Sequence, residues 1–171
     1  MKKFENQDDK GIVFRPVGYI KSDHKTAEKT PVQPVFAQEC SGEAIINEEF
    51  SEGLKGLEEF SHIIIIYHLH KARDTELLVK PFLDDRKHGI FATRFPKRPN
   101  KIGFSVVQLC GREGCSLKIS GVDMLNGTPI LDIKPFVRRF DFRADTKDGW
   151  YEKVDEKTAQ KKGRRGFKPH S

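Results

Sequence analysis

The sequence predicts an all-β domain: a small antiparallel β-barrel with short helical segments and a basic carboxyl-terminal tail. Between residues 102 and 137, short apolar segments follow one another closely, separated by the turn sequences GREG and DMLNGTP. The segment HIIIIYHLH holds an unbroken β-branched run, which is typical of a central strand or of a strand in a closed barrel. Closing the sheet into a barrel leaves no strand edge unpaired.

Length and charge limit the classes of protein that fit. The 171 residues suffice for one domain with a sizeable core, and a formal charge of +6 favours a polyanionic partner such as nucleic acid. The longest apolar run is too short to cross a bilayer, and the first residues lack the apolar segment of a signal peptide. Three cysteines, an odd number, favour reduced thiols. We therefore expect a cytoplasmic protein without a membrane segment.

The amino-terminal half divides into a disordered segment and the first strands. Residues 1–11 are polar and predicted to be disordered, and the barrel domain is predicted over residues 12–141, with a first strand at 12–20. The following loop, SDHKTAEKTPVQP, is long enough to suggest a functional role. A second strand near residues 44–46 precedes a short helical piece, which carries an apolar residue at every third position and is predicted to form a lid or plug.

Strand alternation in HIIIIYHLH places Ile63, Ile65 and Tyr67 on one face, and the β-branched run predicts that both faces are covered. His68 and His70 lie on the other face, a spacing that can hold a metal ion. Because no carboxylate ligand pattern is nearby, we predict no metal site.

Residues 89–105, GIFATRFPKRPNKIGFS, form a basic loop that contains two prolines and leads into a strand. Its cations therefore sit on a stiff backbone that suits an anionic partner, although a solvated surface loop has the same charge pattern. Further along, alternation places Ile130, Asp132 and Lys134 on one strand face. This carboxylate and ammonium pair fits either a catalytic pair or an exposed ion pair.

Residues 142–171 are predicted to form a carboxyl-terminal extension that ends in a flexible basic tail, KKGRRGFKPHS. Its large aromatic anchors, Trp150 and Tyr151, fit either a dimer interface or packing onto the chain's own barrel.

Four separated stretches, TPVQP, GLEEFSHIIIIYHLHK, GIFATRFPKRPNKIGFS and GVDMLNGTPILDIKPF, together resemble the TsaA-like (TrmO) family. The resemblance covers residues 12–140. It implies a small β-barrel that uses S-adenosylmethionine to methylate N6 of threonylcarbamoyladenosine, next to the anticodon of tRNA. The sequence has no GxGxxG motif between a strand and a helix, so a Rossmann methyltransferase is not predicted.

The resemblance also implies which positions contact S-adenosylmethionine. By the family's motifs these are Pro31, Val32, Gln33, His70, Lys71, Arg94, Phe104, Thr128, Pro129, Ile130 and Leu131. Two positions depart from the family's TRSPxRPNPIG pattern: Phe95 replaces its serine and Lys101 its second proline. We expect Phe95 to add bulk beside Arg94, and Lys101 to loosen the loop and add charge.

Residue chemistry suggests further roles within this reaction. Asp132 is the predicted proton acceptor, and Lys134 is predicted either to balance its charge or to contact the substrate carboxylate; both are counted as catalytic. Arg98 and Asn100 are predicted to bind the substrate carboxylate. The tRNA anticodon loop is the expected partner, bound by a homodimer. The competing hypotheses are a non-catalytic basic barrel that binds RNA and senses S-adenosylmethionine, and, more remotely, a metal-dependent hydrolase.

Overall fold

The computed structural model describes residues 11–167. The strands are β1 (Gly18–Ser22), β2 (Ser41–Ile46), β3 (His62–His68), β4 (Leu78–Val79), β5 (His88–Gly89), β6 (Ile102–Glu113), β7 (Ser116–Ser120) and β8 (Pro129–Pro135). Six of them close into a barrel in the order β1-β2-β7-β6-β3-β8, and β4 and β5 form a separate two-stranded sheet. Every barrel pair is antiparallel. The predicted antiparallel barrel is confirmed.

Helical structure is short, as predicted. The two α-helices are α1 (Arg138–Asp141) and α2 (Glu156–Arg164), and single 3₁₀ turns or short 3₁₀ helices lie at Ala27–Lys29, Pro34–Phe36, Glu48–Leu54, Leu57–Glu59, Ile90–Ala92 and Gly149–Lys153. Leu54 and Leu57 pack against the barrel core, so the helical piece after β2 acts as a plug. Among residues 11–167, no helix has both the length and the apolar character needed to cross a membrane.

Strand β3 supplies much of the core and shows the predicted alternation. Ile63 and Ile65 are fully buried and Tyr67 nearly so, and each buried Ile contributes about 1.5–3 kcal/mol to folding. Ile64 and Ile66 on the other face are only half-buried. Both faces of this strand are therefore covered, the outer face less completely than the inner one.

A β-bulge in β8 corrects the predicted face of Asp132 and Lys134. Strand β8 pairs with β3 through Ile66 and Asp132, but the next pair is Tyr67 with Ile130, so Leu131 is an extra residue. An extra residue shifts the alternation of the side chains beyond it to the opposite face. Ile130 therefore points into the core, fully buried, whereas Asp132 and Lys134 lie on the outer face. The prediction that these three residues share a face is wrong.

The two ends of the chain also differ from expectation. The first strand begins at Gly18 rather than residue 12, and Ile12 and Val13 are each 85% exposed. The predicted disorder of residues 1–11 lies outside the described residues except for Gly11. So do the last four residues of the predicted basic tail.

The rest of that predicted flexible tail is ordered, since α2 extends to Arg164. The Asp155 side chain caps the helix by accepting a hydrogen bond from the Thr158 backbone amide. At the other end, the Val32 amide donates to the Gly163 carbonyl, with an N–O distance of 2.9 Å. A Cβ on Gly163 would lie 2.4 Å from Phe36 Cδ2, so glycine permits this close approach. The helix is thereby fastened to the segment that precedes β2.

Candidate active site

Two adjoining cavities open beside the end of β3. The larger has a volume of about 730 Å³ and the smaller of about 390 Å³. Six residues line both and form what we call the shared wall: Ala27, Tyr67, Leu69, Phe95, Pro96 and Asp123. Volumes of about 300–1,000 Å³ are usual for small-molecule sites, so either cavity, or both together, can hold a ligand.

The larger cavity brings together five of the predicted cofactor residues, namely Pro31, Val32, Gln33, Arg94 and Phe104. The Arg94 guanidinium donates through Nη1 to the Gln33 side-chain oxygen. The same guanidinium lies over the Phe104 ring, 5.0 Å from the ring centroid, which is a cation–π contact. Residues from three distant parts of the sequence thus meet around one cation.

The smaller cavity holds three more of the predicted cofactor residues, His70, Lys71 and Thr128. Burial, with a further contribution from the charge of Lys71, lowers the pKa of His70. The neutral imidazole is therefore favoured near neutral pH. Thr128 is buried just before β8. The remaining three predicted cofactor residues, Pro129, Ile130 and Leu131, follow it in the chain but line neither cavity.

The four other predicted site residues also lie outside both cavities. Lys134 Nζ and Asp132 Oδ2 are 2.6 Å apart in an ion pair on the outer face of the barrel, with both side chains about half exposed. Arg98 donates through Nη1 to the Thr93 carbonyl at 2.8 Å and to the Ile90 carbonyl at 3.2 Å, so it braces the loop it belongs to. Asn100 is exposed on that loop.

The two departures from the family pattern have defined structural roles. Phe95 lies on the shared wall and stacks on Phe82, with ring centroids 5.0 Å apart. Lys101 has φ of 50° and donates from Nζ to the Arg73 carbonyl at 2.7 Å. Lys101 therefore ties the loop to the segment after β3, contrary to the expected loosening. Proline cannot adopt a positive φ, so this backbone conformation is incompatible with the family's proline.

Sequence reasoning missed a buried polar group between the cavities. Ser105 Oγ donates to Asp123 Oδ1 at 2.7 Å, and the Tyr67 hydroxyl lies 3.2 Å from Ser105 Oγ. Burial raises the pKa of Asp123 to about 7 and also raises that of Tyr67. The only available signal was an acidic residue between Val122 and Met124, two apolar residues that proved to be buried.

The carboxyl-terminal extension forms a further wall of the larger cavity, which sequence reasoning also missed. Seven of its residues line that cavity: Asp148, Trp150, Tyr151, Val154, Glu156, Ala159 and Arg165. Trp150 donates from Nε1 to the Ala92 carbonyl at 2.8 Å and stacks between His88 and Tyr151. Trp150 thus packs onto its own chain, against the loop and the two-stranded sheet beside the barrel. Among residues 11–167, no three His, Cys, Asp or Glu side chains form a group that could hold a metal ion.

Comparison with known proteins is consistent with this arrangement. The family model described as the tRNA-methyltransferase O N-terminal domain matches residues 19–142. A probable S-adenosyl-L-methionine-binding protein of Pyrococcus abyssi is 52% identical over 142 residues, which make up 83% of this chain and 77% of that protein. The human tRNA (adenine(37)-N6)-methyltransferase is 38% identical over 76% of this chain and 31% of its own length.

Solved structures show the same fold. The crystal structure of TrmO from Pseudomonas aeruginosa matches with a TM-score of 0.69 and 38% identity, and the match covers 82% of this chain and 63% of that chain. This chain therefore spans less than two thirds of that solved chain. The family model alone covers well over half of the described residues. The chain belongs to the family of the tRNA-methyltransferase O N-terminal domain, as its four sequence stretches predicted.

Proposed function

We propose that the protein is an S-adenosylmethionine-dependent tRNA methyltransferase that modifies N6 of threonylcarbamoyladenosine next to the anticodon. The observation that carries this proposal is the cluster of Gln33, Arg94 and Phe104 in the larger cavity. Aromatic side chains and one guanidinium suit a nucleoside that carries an anionic end. Family membership and the printed names of the relatives support the same chemistry.

The proposed cofactor contacts divide between the two cavities. Pro31, Val32, Gln33, Arg94 and Phe104 supply them in the larger cavity, and His70, Lys71 and Thr128 in the smaller. Pro129, Ile130 and Leu131 contribute by positioning Thr128, the residue that precedes β8. When bound, the cofactor supplies a methyl group on a positively charged sulfur. The protein contributes mainly by holding donor and acceptor in line, which can lower the barrier by several kcal/mol.

The acceptor is an RNA base, so the basic loop is the proposed approach surface. Arg98 and Asn100 lie on the loop whose Phe95 and Pro96 form part of the shared wall. A guanidinium in this position suits the carboxylate of the threonylcarbamoyl group. Asp132 and Lys134, on the outer face, can act on the reaction only at the cavity of a second copy of the chain.

A cytoplasmic homodimer is the proposed form. Its support is the presence of large exposed apolar side chains, since Phe91, Phe140 and Phe142 are 78%, 66% and 56% exposed. All three cysteines are unpaired, which suits a reducing compartment. Analytical ultracentrifugation over a range of concentrations tests the dimer, and a monomer at every concentration would refute it.

Two measurements test the proposed activity. Calorimetry with S-adenosylmethionine tests cofactor binding, and single-turnover transfer of a labelled methyl group to tRNA that carries threonylcarbamoyladenosine tests the reaction. Gln33→Leu removes the Arg94 acceptor and should weaken cofactor binding, whereas Glu113→Gln at the β6–β7 turn, outside both cavities, is the matched control. Cofactor binding without transfer to any tRNA would favour the sensing module. No binding at millimolar cofactor would refute both functions.

A further inference from the structure

Asp123 occupies a position that no other carboxylate of the described chain shares. It lies between β7 and β8 and is the only acidic residue on the shared wall. The proposed cofactor contacts lie on both sides of this wall, with Arg94 in one cavity and His70 in the other. Any ligand that spans both cavities therefore passes Asp123.

Hydrogen bonds hold the Asp123 carboxyl group in place. Ser105 on β6 donates its hydroxyl proton to Asp123 Oδ1. That donation leaves the Ser105 oxygen as an acceptor, so the Tyr67 hydroxyl on β3 donates to it. Two barrel strands thus fix the orientation of the carboxyl group, and the residue as a whole is 9% exposed. Fixed orientation of this kind is what proton transfer in an active site requires.

Near neutral pH the Asp123 carboxyl group is present in both its protonated and its ionised form. Burial raises its pKa to about 7, while the hydrogen bond from Ser105 and the charge of Arg94 act in the opposite direction. Besides Arg94, the ionisable groups that interact with it are Tyr67 and Cys40, and burial raises the pKa of both, that of Cys40 to about 11. These two groups stay neutral, so Asp123 is the member of this group that titrates at physiological pH.

We infer that Asp123 accepts the N6 proton of the acceptor adenosine during methyl transfer. This inference rests on the proposed function. The N6 lone pair forms the new bond to the methyl carbon, and the sulfur–carbon bond breaks with its electron pair passing to sulfur. The N6 proton passes to the Asp123 carboxylate and later to solvent. The reaction then needs no further co-reactant, and the charge lost by the sulfonium leaves as a proton.

The test compares single-turnover rates at saturating cofactor between about pH 5.5 and 9. The wild-type rate should rise about tenfold per pH unit below about 7 and then level off. Asp123→Asn, which keeps an acceptor for Ser105, should lower the plateau rate by about 100-fold or more with little change in cofactor affinity. Ser105→Ala removes a hydrogen bond that favours the carboxylate. It should keep most of the plateau rate but shift the profile to higher pH.

The matched control is Glu113→Gln, which replaces an exposed carboxylate beside Lys118. It should keep the wild-type dependence of rate on pH. Thermal unfolding of each variant establishes that it is folded at the assay temperature. An Asp123→Asn variant with the wild-type plateau rate would overturn the inference. An Asp123→Asn variant that loses cofactor affinity but keeps the plateau rate would also overturn it. A third contrary result is an Asp132→Asn variant that loses about 100-fold in rate while Asp123→Asn keeps the wild-type rate. If the wild-type protein binds cofactor but methylates no tRNA, the proposed function itself fails.

Discussion

Replacing Asp123 by Asn should change how the stability of the protein depends on pH. The pKa of this carboxyl group is raised from 3.8 to about 7 by burial. Between these values the unfolded chain has released the proton and the folded chain keeps it, so stability falls as pH rises. The difference is about 3 pKa units, which corresponds to about 4 kcal/mol as an upper bound. This cost is absent below about pH 4 and complete above about pH 7.

Urea unfolding of the wild type and of Asp123→Asn at about pH 4 and at about pH 8 measures the effect. Subtracting the free energy of unfolding of the wild type from that of the variant at each pH removes the contributions of the titrating groups that the two proteins share. Relative to the wild type, the Asn variant should gain up to about 4 kcal/mol in its free energy of unfolding between the two pH values. Glu113→Gln should show no comparable gain, because its carboxylate is exposed. A difference between Asp123→Asn and wild type that stays constant with pH would refute the burial argument.

Three other substitutions test the site. In Gly103→Ala, the new Cβ would lie 2.2 Å from Tyr67 Cε2, so overpacking should cost about 1–3 kcal/mol in urea unfolding; unchanged stability would contradict this. Gly163→Ala should favour an isolated helix by about 1 kcal/mol, but the clash with Phe36 should detach α2. Hydrogen exchange at the Val32 amide should then accelerate, and slower exchange would refute the packing. Arg94→Lys keeps the charge but loses the planar guanidinium over Phe104, so calorimetry should show about tenfold weaker cofactor binding; wild-type affinity would argue against the contact.

The sequence predicted best where local periodicity decides structure. In β3 a period of two placed Ile63, Ile65 and Tyr67 inside, because alternation is a property of the extended backbone itself. The same rule failed in β8, where the extra residue Leu131 reverses the faces, since no local pattern marks a bulge. Asp132 was therefore assigned to the wrong face.

Other features arise only from contacts between distant segments. Asp123 has neighbours that are remote in sequence, such as Ser105, and a carboxyl group between two apolar residues does not by itself reveal burial. The basic composition of the last residues predicted a flexible tail rather than the helix that follows Asp155. Tertiary packing supplies most of the stability of so short a helix, and composition does not report such packing. Of the predicted cofactor residues, eight line the two cavities.

The wall that Trp150, Tyr151 and Arg165 add to the larger cavity has a practical consequence for inhibitor design. These residues lie beyond residue 142, where the match to the family domain ends. A compound that touches only Gln33 and Arg94 would rely on positions that the family's motifs share. One that also stacks on the Trp150–Tyr151 pair would gain contacts from residues that lie beyond that match. That aromatic wall therefore offers an inhibitor a second anchoring point beside the Gln33–Arg94 contact.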